Sequence, residues 1–69
     1  MLKKRSFSLA GHRTSVALED EFWTVLAEDA RSRDISLAAL VAAVDAGRGP
    51  RPLASALRLH ALALLRSRS

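Results

Sequence analysis

The sequence predicts a mainly α-helical fold with one β-strand, built as an intertwined homodimer around a shared core. The chain has 69 residues, of which 49% are hydrophobic and none is cysteine. A domain this short rarely buries enough surface alone, and disulfides are ruled out as a source of added stability. Its one convincing strand has no obvious mate in the chain, and its last helix is apolar around most of its circumference. Both features predict self-association.

Residues 12–18 form the best predicted strand, because β-branched side chains recur there with a period of two. One face holds Thr14, Val16 and Leu18, and the other holds Arg13, Ser15 and Ala17. A lone strand leaves its backbone N–H and C=O groups without partners. We therefore predict that it pairs antiparallel with its copy in a second subunit. A ladder within its own subunit would contradict this pairing and any function that depends on it.

Residues 1–11 are predicted to be an extended basic arm that orders only when something docks against it. Phe7 and Leu9 alternate with Ser6 and Ser8, and Gly11 ends the stretch. Residues 1–18 contain four basic residues and no acidic one, whereas all seven acidic residues lie between positions 19 and 45. This asymmetry favours a polyanionic partner at the N-terminal part.

Three helices are predicted after the strand. The first, 19–33, has an acidic first turn and an apolar stripe that includes Trp23, which is expected to anchor the core. Asp34 is suited to a left-handed turn, and Ser36 caps the second helix, 37–46. A Gly/Pro linker, 47–52, separates this core, 12–46, from a C-terminal segment, 53–69, whose helix spans 53–66.

The order of these elements resembles the ribbon-helix-helix superfamily of the Arc and methionine repressor class. The resemblance runs from about Arg13 to Ala46: residues 13–18 correspond to the ribbon, and apolar residues follow on both helices. Those apolar residues, with the Ser of the cap, are Phe22, Leu26, Ile35, Ser36, Leu40 and Val41. The chain is similar to short bacterial ribbon-helix-helix proteins in two segments, Gly11 to Ser15 and Glu19 to Trp23.

The resemblance implies a DNA-binding homodimer whose two-stranded ribbon lies in the major groove of double-stranded DNA. It places base-reading side chains at Arg13, Ser15 and Ala17. It places a phosphate on the backbone at Ser36, Leu37 and Ala38, the start of the second helix. It implies a dimer core of Thr14, Val16, Leu18, Phe22, Leu26, Leu40 and Val41. Lys3, Lys4 and Arg5 are predicted to neutralise further phosphates or to enter the neighbouring minor groove, and a disordered basic tail is the alternative for them.

The predicted function is sequence-specific regulation of transcription, as a repressor in the bacterial cytoplasm. The alternative is an antitoxin-like or other protein-interaction module that uses residues 53–66. Less favoured are a helix-turn-helix-like monomer and attachment of the last helix to a membrane surface. No catalytic constellation, cofactor motif or metal-ligand spacing occurs, and neither a signal peptide nor a membrane span is expected, so an enzyme is not predicted.

Overall fold

The computed structural model describes residues 1–67, which form a β-hairpin followed by three helices. In chain order the elements are β1 (Leu2–Leu9), β2 (His12–Glu19), α1 (Asp20–Ser32), α2 (Leu37–Gly47) and α3 (Leu53–Ser67). Residues 68 and 69 of the predicted C-terminal segment lie outside the described part. The helices occur where the apolar periodicity predicts them, which confirms the mainly α-helical class with a small β component.

The prediction of a single strand is wrong, because residues 2–9 pair with residues 12–19 of the same chain. The two strands are antiparallel, with Ser6 opposite Ser15 and Phe7 opposite Thr14. Such a ladder within one subunit was expected to exclude pairing between copies, but among residues 1–67 it covers only one edge of β2 and leaves the other open. The basic arm is thus a full strand, and it satisfies the backbone groups along one edge of β2, for which the sequence offered no partner in the same chain.

A two-residue turn, Ala10-Gly11, makes this pairing possible. Both residues have positive φ, 51° for Ala10 and 80° for Gly11, as a type I′ hairpin turn requires. Glycine adopts this conformation freely, whereas alanine suffers a clash between its Cβ and the backbone. The hairpin therefore forms despite an unfavourable residue at its first turn position.

We expect Ala10→Asn to stabilise the protein by roughly 0.5–1 kcal/mol, since asparagine tolerates positive φ and Asn-Gly favours this turn. Thermal unfolding followed by far-UV circular dichroism should show a higher midpoint. Gly11→Ala is the matched control, because it places a Cβ at the other positive-φ position of the turn. A Cβ there meets no atom within 4 Å, so backbone strain alone should lower the midpoint. An unchanged or lower midpoint for Ala10→Asn would contradict the positive φ assigned to residue 10 in this turn.

The core lies between one face of the hairpin and the three helices. The sheet contributes Phe7, Leu9, Val16 and Leu18, all buried. The helices contribute the remaining buried hydrophobic side chains, which are Trp23, Leu26, Ala30, Leu40, Val41, Ala56, Leu57 and Ala61. Because Leu57 and Ala61 are completely buried, α3 is part of the same core as the helices before it.

A left-handed residue ends α1 and aims the chain into α2. Asp34 has φ of 58°, as its predicted turn role requires. The Ile35 amide donates to the Ala30 carbonyl at 3.0 Å and the Asp34 amide to that of Arg31 at 3.1 Å, which is the hydrogen-bond pattern of a Schellman motif. Ser36 then caps α2 as predicted, since its Oγ accepts from the Ala39 amide at 3.0 Å.

The helix α3 buries one side and leaves another open. Its buried side meets the core, and His60 Nε2 lies 3.4 Å from the buried Asp29 carboxylate of α1. On its other side Leu59, Leu62 and Leu65 keep 44–48% of their surface exposed. The described part of one chain therefore does not cover this helix, which agrees with the excess of apolar surface seen in the sequence.

Candidate nucleic-acid interface

The hairpin has a face directed away from the helices, and this face is polar. Antiparallel partners share a face, so the register assigns every residue of the two strands to the core side or the outward side. The outward side consists of four opposed pairs, Leu2 with Glu19 at the open end and then Lys4 with Ala17, Ser6 with Ser15 and Ser8 with Arg13. All are exposed except Ala17 and Glu19, which are half-buried.

The structure places the predicted base-reading residues together on this outward face. Arg13, Ser15 and Ala17 occupy alternate positions of β2, while Val16 and Leu18 point into the core. Ser6 Oγ and Ser15 Oγ lie 3.1 Å apart and form a hydrogen bond across the strands. The guanidinium of Arg13 is an exposed five-donor group at the turn end of the face. A two-stranded ribbon with such a face has the dimensions that the major groove admits.

The three basic residues of β1 do not act as one group, because the strand alternation separates them. Lys4 is on the outward face, opposite Ala17. Lys3 and Arg5 are on the other face, where Lys3 Nζ lies 3.6 Å from the Asp20 carboxylate and the Arg5 guanidinium lies 5.4 Å from the centre of the Trp23 ring. Only Lys4 therefore shares the face with Arg13, Ser15 and Ala17.

Trp23 holds β1 against α1 and so fixes the orientation of the hairpin. Its ring is 2% exposed and contacts Phe7 with ring centroids 5.9 Å apart. Its Nε1–H donates to the Lys3 carbonyl oxygen at 2.7 Å. The Trp23 side chain thus packs on Phe7, stacks under Arg5 and donates a hydrogen bond to the backbone of Lys3. These contacts confirm its predicted role as an anchor.

The start of α2 is the second predicted contact. Ser36 and Ala38 are exposed and Leu37 is half-buried. The first turn of α2 carries no acidic residue, in contrast to α1, which begins with Asp20 and Glu21. The positive end of the α2 dipole is therefore not offset by a carboxylate in its own first turn.

The residues predicted to form a dimer core lie largely in the core of the single chain. Val16, Leu18, Leu26, Leu40 and Val41 are at most 4% exposed without any second copy. Thr14 and Phe22 are half-buried. The five buried residues consequently require no partner for their burial, and any interface between copies has to use surface that is still open.

An ion pair ties the end of β2 to α3. Arg58 Nε and Nη2 each lie 3.0 Å from Glu19 Oε1, and the Arg58 guanidinium also lies 5.9 Å from the centre of the Phe22 ring. A hydrogen bond from the Glu19 backbone amide, and then the bond from Arg58, lower the pKa of the Glu19 carboxyl from its ordinary value.

We expect this pair to make stability fall in acid. A carboxyl whose pKa is lower in the folded state stabilises the fold above its unfolded pKa and loses this contribution as pH falls through the folded pKa. For Glu19 the loss should begin below about pH 5, near the ordinary glutamate range. Urea titrations from neutral to acid pH should show a weaker dependence for Glu19→Gln. An equally steep fall in this variant would contradict the assignment.

Sequence reasoning missed the contribution of β1 to the outward face. Ser6 and Ser8 were assigned to an arm without a site, although they lie directly opposite Ser15 and Arg13. The signal was present, since two alternating stretches flank a two-residue segment that ends in glycine, and that pattern is typical of a hairpin.

Comparison with known proteins gives one positive finding. The family model described as "Ribbon-helix-helix domain" matches residues 2–65, which include both strands and nearly all of the three helices. Domains of this family are typically DNA-binding modules without enzymatic activity. Neither a comparison with curated proteins nor one with solved structures gave a significant match. Among residues 1–67, no helix has the length and apolar character needed to cross a membrane.

Proposed function

The chain belongs to the ribbon-helix-helix family, whose members are generally DNA-binding regulators, and from this membership we propose that it is a sequence-specific transcriptional repressor. Its target is double-stranded DNA, and it acts as a homodimer in the cytoplasm of a bacterium. Arg13, Ser15 and Ala17 read base edges in the major groove, and the backbone at the start of α2, Ser36 to Ala38, holds a phosphate. No cofactor enters this function.

The observation that carries the proposal is the composition of the outward face of the hairpin. The arginine at its turn end can donate two hydrogen bonds to guanine O6 and N7, and Ser15 can donate or accept. Ala17 offers only a methyl contact, which suits thymine. Val16 and Leu18 of β2 are buried on the other face, so the residues between them and Arg13 on the outward face can approach DNA.

The homodimer has to use the open edge of β2. In the described residues the sheet has only two strands, so β1 covers one edge of β2 and leaves the other unpaired. Pairing of this edge with its copy in a second subunit gives a four-stranded sheet in the order β1-β2-β2-β1. Such pairing retains a central ribbon of two β2 strands and adds a β1 strand on each side.

Selection of bound fragments from random duplex DNA tests the proposal, with binding of the enriched sequence repeated across salt concentrations. We expect enrichment of a symmetric or repeated site and an affinity that falls steeply with salt. Sedimentation should give twice the subunit mass for the free protein. Salt-dependent binding without any enriched sequence would contradict sequence-specific regulation.

A second candidate function is an antitoxin-like or other protein-interaction module. It is favoured by the exposure of Leu59, Leu62 and Leu65 on α3, a face that the described part of the chain leaves uncovered. A protein partner would bury these leucines. Aggregation of the isolated protein that persists with DNA present would favour this candidate, whereas a soluble homodimer with a cooperative melt would favour the repressor.

A further inference from the structure

The strand β1 places a second polar row beside the predicted reading row of β2. Lys4, Ser6 and Ser8 follow one another at alternate positions, and each is exposed on the outward face. Neither the core nor the turn needs these side chains. Within residues 1–67, the only side-chain hydrogen bond of the row joins Ser6 Oγ to Ser15 Oγ on the neighbouring strand.

We infer that this row, Lys4, Ser6 and Ser8, binds DNA phosphates at the rims of the major groove while β2 reads the bases between them. The inference rests on the proposed function, since it takes two β2 strands to be paired at the centre of the groove. It assigns β1 the task of setting position and affinity, and leaves the choice of sequence to β2.

The spacing of strands places β1 over the rim. Neighbouring strands lie about 4.8 Å apart, so in the order β1-β2-β2-β1 each β2 is about 2.4 Å from the symmetry axis and each β1 about 7 Å from it. The major groove is about 12 Å wide, so its walls stand about 6 Å from the same axis. The central strands therefore face the base edges, and the outer strands face the phosphates that line the groove.

The side chains of each row have the lengths that these positions require. The bases lie at the floor of a groove about 8.5 Å deep, which the long side chain of Arg13 suits. The phosphates line the walls of the groove beside β1, where a serine hydroxyl is long enough to reach them. Ser6 can accept a hydrogen bond from Ser15 while donating its own hydrogen to a phosphate oxygen. Lys4 adds a positive charge to the row.

The charges near the row are compatible with a polyanion. Glu19, at the far end of the hairpin opposite Leu2, is the acidic residue of the two strands, and its carboxylate is bound by Arg58. Lys3, next to Lys4 in sequence, points to the other face and pairs with Asp20. Lys3 thus offers a control with the same charge and nearly the same position in the chain.

Binding of the full-length protein to its enriched duplex and to an unrelated duplex, over a range of salt concentrations, tests the inference. For Lys4→Ala we expect weaker binding to both duplexes by a similar factor. The negative slope of log affinity against log salt should become shallower by about 0.9 for each lost contact, or by roughly 2 for a dimer. Ser6→Ala combined with Ser8→Ala should weaken both duplexes several-fold and leave the preferred sequence unchanged. Lys3→Ala should retain most of the wild-type slope.

Any of three other outcomes would overturn the inference. Equal losses for Lys3→Ala and Lys4→Ala would show a general charge effect rather than a contact from one face. An altered base preference in the β1 variants would place β1 over the bases, and wild-type binding by these variants would remove β1 from the interface. Thermal melts of each variant exclude unfolding as the cause. If wild-type protein binds no duplex, the proposed function itself fails, which is a distinct result.

Discussion

Trp23→Ala is expected to destabilise the protein severely, with a loss of about 3–5 kcal/mol in the free energy of unfolding. The ring is 2% exposed and packs against Phe7, so its removal leaves a large cavity between β1 and α1. It also leaves the Lys3 carbonyl without the indole donor at 2.7 Å. Small domains have total stabilities near the low end of about 5–15 kcal/mol, so a loss of this size removes most of the free energy of unfolding.

The measurement is urea unfolding followed by far-UV circular dichroism, since the variant lacks the only tryptophan. Trp23→Phe separates the two contributions, because it keeps an aromatic ring beside Phe7 and loses only the indole donor and part of the volume. We expect Trp23→Phe to lose less free energy of unfolding than Trp23→Ala does. Thr24→Ala, at the exposed neighbouring position, should change stability little. A wild-type midpoint for Trp23→Ala would refute the anchoring role.

The helical part of the fold was predictable because its signals are local. Ser36 as a cap and Asp34 as a left-handed turn residue act on their own backbone, and the structure shows both. The apolar stripe of α1 marks the side that meets the core, and Trp23 and Leu26 are buried there. Such signals need no knowledge of what the helix packs against, so sequence alone was sufficient.

The second strand was not predicted, because its formation depends on a turn with an unusual residue. Alanine at a positive φ is unfavourable, so Ala10-Gly11 is a weaker hairpin signal than Asn-Gly. The compensation comes from distant contacts, with Phe7 and Leu9 buried in the core and Trp23 bound to the backbone of β1. These contacts join residues far apart in sequence, and pattern reasoning over short windows does not include them.

The outward face was predicted for β2 but only in part for β1. The alternation that separates Ser6 and Ser8 from Phe7 and Leu9 also places Lys4 with the serines, and Lys3 and Arg5 with the apolar residues. Treating the three basic residues as one group ignored this alternation. Pairing within the subunit still leaves an outward face, because a hairpin directs alternate residues of both strands to that side.

Loss of the Arg13 side chain is expected to have the largest effect on DNA binding. A bidentate arginine–guanine contact contributes about 1–3 kcal/mol of base discrimination, and a symmetric dimer loses two of them, or about 2–6 kcal/mol. We therefore expect Arg13→Ala to weaken binding to the selected site on the order of 30-fold to 10⁴-fold, with a much smaller effect on unrelated duplex DNA. Titrations of both duplexes at one fixed salt concentration measure this difference.

Two controls separate the geometry of the Arg13 contact from its charge. Arg13→Lys keeps the charge and loses the planar pair of donors, so it should retain the salt dependence and lose base discrimination. Arg51→Ala removes an exposed arginine from the segment between α2 and α3, outside the hairpin, and should leave discrimination intact. Because Arg13 lies opposite Ser8 on a face that makes no contribution to the core, its loss should not alter the melt. Full discrimination by Arg13→Ala would remove the turn end of the hairpin from the reading surface and restrict base contacts to Ser15 and Ala17.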